Sequence, residues 1–158
     1  MTAQGVFRDD YYNAVNVLTN SQVTTTAQAS GTLAAAALAS AVENYIVSSG
    51  ATALTTDSAV NIIAQLQQAV ATAYKAAIAS FGAGVNPPPG VPNLFNFSFF
   101  VQIGNTNAST LTLTAGTGVT FVGAATIATA SQRGFSVTVT SPTTVTFTTT
   151  GASSGFIA

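Results

Sequence analysis

The chain has 158 residues, of which 47% are hydrophobic and only 4% are charged, and its net charge is -1. This size and apolar content suffice for one domain with a buried core. The low charge argues against nucleic acid and an anionic membrane as partners, because both need clustered lysine and arginine. The chain contains no cysteine and no histidine, so disulfides are excluded and the commonest metal ligand and general base are missing. We expect no enzymatic activity and no cofactor.

Residues 1–32 are predicted to form an N-terminal arm that is partly helical and partly extended. Its Tyr11, Val15 and Leu18 recur at the spacing of one helix face. The following SQVTTTAQASGT is rich in serine, threonine and glutamine, which is typical of a linker. Charged residues stand where a secretory signal would have its apolar region, so no such signal is expected.

Residues 33–82 are predicted to form a small β element followed by one amphipathic helix. The stretch NYIVSSGATALTT indicates short strands on either side of a turn. Asp57 is predicted to be the N-cap of a helix over about 58–80 that stops at Gly82. Apolar residues then recur at intervals of three and four, as on one helix face: Val60, Ile63, Leu66, Val70, Tyr74 and Ile78.

Residues 83–93 are predicted to be a linker, because NPPPGVP cannot form a helix or a central strand. Residues 94–158 alternate apolar side chains with threonine or serine, which predicts five or six antiparallel strands in a β-sandwich or barrel-like domain. Phe95, Phe97 and Phe99 are expected to face its core together. The class predicted for the whole chain is therefore mainly β, with a minor helical part.

The threonine content and the glycine-containing segment of this β-domain indicate which roles it can have. Sixteen of the fifty residues from 101 to 150 are threonine, a side chain that suits a strand face meeting water or a partner without charge. The segment AGTGVT (115–120) has the glycines of a phosphate-binding loop, but it lacks the lysine and the following helix. We predict that it is a tight turn between strands.

The sequence TLTLTAGTGVTFVGAATIATASQRGFSVTVTSPTTVTF resembles the C-terminal β-domain of small tailed-phage virion proteins, namely capsid decoration, cement or head-fibre proteins. The earlier stretch ENYIVSSGATALTTDSAVNIIAQLQQAV is also similar to that family, so the resemblance covers roughly residues 40–150. It implies a homotrimer on the surface of a phage capsid, made in the host cytoplasm, with the major capsid protein as its partner. An alternative from another class is a phage fibre or surface β-domain that recognises a host glycan or protein. A third reading is a bacterial surface or pilus-type subunit.

Two sets of residues are candidates for these contacts. The arm holds three of the seven charges of the chain beside two tyrosines, which makes it a candidate capsid anchor: Arg8, Asp9, Asp10, Tyr11 and Tyr12. The trimer interface is expected on the helix and the β-domain, with these residues: Val60, Ile63, Tyr74, Phe100 and Arg133. The alternatives are that the arm packs on its own trimer and that its acidic pair merely complements a helix dipole.

Overall fold

The computed structural model describes residues 26–28, 31–39, 43–48, 52–81, 93–152 and 154–155. These residues form a mainly β fold with two mixed sheets and two helices, which confirms the predicted class. The strands are β1 Thr26–Gln28, β2 Thr32–Leu33, β3 Glu43–Ser48, β4 Ala53–Thr56, β5 Ser98–Asn105, β6 Leu111–Thr114, β7 Val119–Val122, β8 Thr126–Ile127, β9 Ser131–Ser141, β10 Thr144–Thr149 and β11 Ser154–Gly155. The helices are α1 Ala35–Leu38 and α2 Ala59–Phe81.

The chain winds between two sheets. Sheet A has the order β1-β3-β5-β9-β10-β7, with β11 also pairing with β9, and sheet B has the order β2-β4-β6-β8. From β1 to β9, successive strands alternate between the two sheets. Equivalent strands of successive windings therefore lie side by side, and β1, β3 and β5 run parallel, as do β2, β4 and β6.

The antiparallel pairing expected for residues 94–158 is confirmed for four of the five described pairs there and is wrong for β10 with β7, which run parallel. Among the described strands, β9 pairs antiparallel with β5, β10 and β11, and β8 pairs antiparallel with β6. The remaining pairs are parallel, including β10 with β7. Alternation of apolar and polar residues tells which side chains face the core, but it carries no information on the direction of the neighbouring strand.

Strands on both sides of the proline-rich segment share both sheets. Thus β3 pairs with β5, and β4 pairs with β6, so the two segments predicted on either side of the linker fold around one core. The end of the predicted arm also belongs to this unit, because β1 pairs with β3. Residues 1–25 and 82–92 lie outside the described residues.

The core lies between the two sheets and against one face of α2. Phe121, Phe135 and Phe147 form an aromatic cluster on the inner face of sheet A, with ring centroids 5.2 to 6.3 Å apart. Sheet B contributes aliphatic side chains that are fully buried: Leu33, Leu54, Leu111 and Ile127. Of the three phenylalanines expected to share a core face, Phe99 is buried, Phe97 is partly buried and Phe95 is 58% exposed.

The cap of α2 is Ser58 rather than the predicted Asp57. Ser58 Oγ accepts a hydrogen bond from Asn61 N at 3.3 Å, and Ser58 O accepts the first helical bond from Ile62 N at 3.0 Å. Asp57 Oδ1 accepts bonds from Asn61 Nδ2 and Ser58 N, both at 2.7 Å. The Asn61 amide, followed by the N–H groups of Ser58 and Ala35, lowers the pKa of Asp57, while partial desolvation opposes the shift. Neither described helix is long and apolar enough to cross a membrane.

The AGTGV segment is a tight turn, as predicted, but it does not close a hairpin. Val119 N donates to Gly116 O at 3.0 Å, and Gly118 has a φ of 76°, as the third residue of a type II turn requires. The turn leads from β6 in sheet B to β7 in sheet A, so its two strands face each other across the core. The start of α2 holds it there, because Thr117 O accepts a bond from Ala59 N at 2.9 Å.

Candidate functional site

The outer side of four neighbouring strands of sheet A presents an uncharged surface, which we call the hydroxyl face; it ends at β3, where the charged Glu43 is in register with Phe100. It consists of the outward side chains of β5, β9, β10 and β7: Ser98, Phe100, Gln102, Gly134, Ser136, Thr138, Thr146, Thr148, Thr120 and Val122. Alternate residues of these strands point inward and are buried, as Val137 and Val145 show. The same alternation that fills the core therefore places hydroxyl groups in rows on the opposite side.

The strand register places these side chains in rows across the sheet. One row runs through Ser98, Thr138, Thr146 and Thr120. Ser98 Oγ and Thr138 Oγ1 are 2.7 Å apart, so these two hydroxyls share a hydrogen bond. The next row contains Phe100, Ser136, Thr148 and Val122.

Phe100 packs on a glycine within this surface. A Cβ atom added to Gly134 would lie 2.5 Å from Phe100 Cζ and 2.6 Å from Thr150 Oγ1, so the ring lies against the glycine backbone. Phe100 nevertheless remains partly exposed, and Val122, at the edge of the sheet, is 51% exposed. The hydroxyl face thus combines apolar groups with hydrogen-bonding groups that carry no charge.

This composition suits contact with another macromolecule. Burying a hydroxyl that gains a hydrogen-bond partner is close to neutral, whereas burying an unpaired charge costs several kcal/mol. The apolar groups add a favourable contribution in proportion to the area removed from water. None of the residues that make up the hydroxyl face is a general base that could activate its threonine hydroxyls, so this set of side chains suits binding.

The predicted interface residues do not lie on one surface. Val60 is 54% exposed on α2, and Tyr74 lies further along the same helix. Phe100 lies on the hydroxyl face. Ile63 is only 5% exposed and packs in the core of its own chain, so it has no surface to offer a partner, and we remove it from the candidate interface.

Arg133 lies on the core side of sheet A. It stands opposite the buried Ile103 in the β5–β9 register. Its Nη1 donates to Gly151 O at 3.0 Å, and its Nε is buried without a hydrogen-bond partner. Strand alternation therefore separates Arg133 from Phe100, because the two side chains leave opposite faces of the sheet.

The predicted capsid anchor lies outside the described residues. It comprises Arg8, Asp9, Asp10, Tyr11 and Tyr12, and its role stays a prediction. The hydroxyl face itself had a signal in the sequence, the alternating threonines of VTVTSPTTVTFTTT. The contributions of β5 and β7 had none, because their position beside β9 and β10 depends on the sheet order.

In the part of the chain that the structure describes, no group of three or more histidine, cysteine, aspartate or glutamate residues is placed to hold a metal ion. Comparison with protein-family models, curated proteins and solved structures finds no match to this chain.

Proposed function

We propose that this protein is a non-enzymatic structural protein of a phage virion, a homotrimeric decoration or cement protein that stabilises the capsid by binding its surface. The hydroxyl face is the observation that carries this proposal, because it offers several strands of uncharged contact surface. A protein that bridges capsid subunits stabilises the shell by burying surface across the seams between them. The resemblance of residues 40–150 to tailed-phage decoration proteins supports the same role.

In this proposal three regions of the chain make two kinds of contact. The hydroxyl face and the arm contact the major capsid protein, and the exposed part of α2 joins the three copies. The proposed trimer interface retains Val60 and Tyr74, while Phe100 belongs to the capsid-contacting face. The proposed location is the capsid surface of the virion.

A second candidate function is recognition of a host glycan or protein by a phage fibre. The partly exposed Phe100, whose register partner on β9 is Ser136, favours it, because an aromatic surface flanked by hydrogen-bonding groups is common in binding sites. Copy number separates the two functions. A cement protein covers the head in hundreds of copies, whereas a receptor-binding protein occurs in few copies on a fibre.

The first experiment introduces charge into the hydroxyl face. We expect T120K/T148K to abolish co-sedimentation with undecorated capsids of the phage that encodes this chain, because two ammonium groups would have to be desolvated at the contact. The matched control is T112K/T126K, since Thr112 and Thr126 are exposed partners on sheet B. Equal capsid binding by both variants would remove the hydroxyl face from the contact. Failure of the unaltered protein to bind capsids would contradict the proposed function.

The second experiment tests the arm. Deletion of residues 1–25 ends immediately before β1, so it leaves every described strand intact. We expect the truncated protein to keep its circular dichroism spectrum and its oligomeric mass but to lose capsid binding. If it binds capsids like the full chain, the candidate anchor is wrong and the arm has another role, such as packing on its own trimer.

A further inference from the structure

Strand β7 forms one edge of sheet A. Among the described strands it pairs only with β10, and the strand order of the sheet ends there. A strand at the edge of a sheet presents a row of unpaired N–H and C=O groups, which can pair with another extended chain. The backbone groups of β7 therefore determine what this edge can bind.

The register with β10 shows which backbone groups of β7 point outward. Val145 N donates to Gly118 O at 3.0 Å, and Val145 is in register with Val119. In a parallel ladder the N–H and C=O of one residue point to the same side, and those of the next residue point to the opposite side. The groups of Val119 and Phe121 therefore point away from β10. Because Val119 N donates to Gly116 O, the edge presents the C=O of Val119 and both backbone groups of Phe121.

The edge lacks the features by which proteins usually block such pairing. Strand β7 reads VTFV, without a charged residue or a proline, and its register with β10 is continuous over all four residues. The edge strands of sheet B, β2 and β8, have only two residues each, and a very short edge strand offers little to pair with. The sequence of β7 thus leaves its edge open to a further strand.

Two apolar side chains of β7 are incompletely covered. Phe121 lies on the core side of sheet A in one row with Phe147 and Val137. Those two are fully buried, whereas Phe121 is only partly buried. On the outer side, Val122 is 51% exposed. A strand added beside β7 would cover both side chains, and the apolar area removed from water would stabilise the pairing.

We infer that β7 pairs with β7 of a second copy of this chain, antiparallel and about a two-fold axis at Phe121. The N–H and C=O of Phe121 then bond to the C=O and N–H of Phe121 in the second copy, as directly opposite residues of an antiparallel pair do. The two rings meet on the core side, and Val122 lies opposite Thr120 of the second copy on the outer side. Aromatic pairs and pairs of β-branched residues of this kind stabilise sheets.

The occupant follows from the self-complementarity of the edge. A two-fold contact uses the same groups in both copies, so each donor must find its acceptor in an identical strand. Phe121 meets this requirement because it presents one donor and one acceptor, and the uncharged edge brings no like charges together. The pairing does not rest on the proposed trimer. Four residues per strand make a small contact, so we expect a dissociation constant on the order of 100 µM.

The first experiment measures hydrogen exchange of the unaltered protein residue by residue by NMR. At about 10 µM the amide of Phe121 should exchange rapidly, and at about 1 mM about fourfold more slowly, for a dissociation constant of about 100 µM. The amides of Thr120 and Val122 are the internal control, because they bond to β10 and should stay protected at both concentrations.

Two results would overturn the inference. Equal protection of the Phe121 amide at both concentrations would show that another segment of the chain itself covers the edge. Rapid exchange at both concentrations would show that no second copy pairs there.

The second experiment compares V122K with T148K by sedimentation equilibrium. Thr148 is the exposed register partner of Val122 on β10, so it lies in the same row but one strand away from the edge. A lysine on an edge strand disfavours pairing with another chain. We expect V122K to weaken self-association by about tenfold and T148K to leave it unchanged. Equal weakening would place the contact on the hydroxyl face and overturn the edge pairing. Neither experiment involves capsids, so its failure would leave the proposed function standing.

Discussion

The strands that wind between the two sheets, β1 to β6, differ from the hairpin of β9 and β10 in what holds them together. The hairpin strands have 11 and 6 residues and are separated by two residues in the chain. The winding strands include β2, with only two residues, and their partners lie far away in sequence, as in the pairing of Leu54 with Leu113. The hairpin strands pair with a neighbour close in the chain, whereas a short winding strand depends on contacts with residues far away in the sequence.

Among those contacts are hydrogen bonds between buried polar side chains and backbone groups far away in the sequence. Thr56 is buried, and its Oγ1 accepts a bond from Gly116 N at 2.8 Å, which ties β4 to the turn after β6. Asn105 is fully buried, and its Nδ2 donates to Ile127 O at 3.1 Å, which ties β5 in sheet A to β8 in sheet B. We therefore expect the hairpin to respond most to lost apolar volume and the winding strands to lost polar contacts.

The largest effect is expected in the hairpin. Phe147→Ala removes a fully buried ring from the aromatic cluster with Phe121 and Phe135, and it should lower the free energy of unfolding by about 3–5 kcal/mol. Phe95→Ala is the control, because Phe95 is 58% exposed and its loss should change stability by less than about 0.5 kcal/mol. Urea denaturation measures both. Similar values for the two variants would contradict the assigned core.

A smaller effect is expected at the link between the sheets. Asn105→Ala removes the amide that donates to the carbonyls of Ser109, Ile127 and Ala128. Loss of a buried hydrogen-bond partner should cost about 1–3 kcal/mol. Asn105→Leu is the comparison, because it restores apolar volume but no donor. Recovery of full stability in the leucine variant would show that volume, rather than hydrogen bonding, matters at this position.

The thermal stability of the chain should be sensitive to a single methyl group added in the AGTGV turn between β6 and β7. Gly118→Ala places a Cβ against the carbonyl oxygen of Thr143 at a residue whose φ is 76°, and the left-handed backbone alone should cost about 1–2 kcal/mol. Gly151→Ala is the control, because a Cβ there meets nothing within 4 Å. Thermal melting of the two variants tests the difference, and an unchanged melting temperature for Gly118→Ala would contradict the described turn.

The smallest effect is expected from pH. The chain has no histidine or cysteine, so the melting temperature should change little between about pH 5 and 9. The pKa of Asp57 is lowered from 3.8, so its charged form contributes stability that is present above the unfolded value and is lost as the pH falls through the folded value. Asp57→Asn should reduce this acid loss. A steep fall in melting temperature between pH 5 and 9 would point to a critical ionic pair elsewhere in the chain.

The candidate site was partly predictable. The alternating threonines predicted an uncharged strand face, and that part of the hydroxyl face is confirmed as a surface. The apolar positions of α2 predicted one stripe that included Val60 and Ile63. The structure separates them, because Ile63 packs in the core and Val60 is exposed. A spacing of three or four residues is shared by adjacent helix faces, so it cannot tell which face is buried.

The sequence by itself determined the local properties of the chain. Threonine and valine alternation determined the mainly β class, the low charge determined the uncharged surface, and the glycines of AGTGV determined a tight turn. Only the tertiary structure decided the alternation of strands between two sheets, the parallel pairings and the opposite orientations of Phe100 and Arg133. The physical reason is that side-chain periodicity encodes what faces the core within each strand, whereas strand order and direction depend on contacts between residues far apart in the chain.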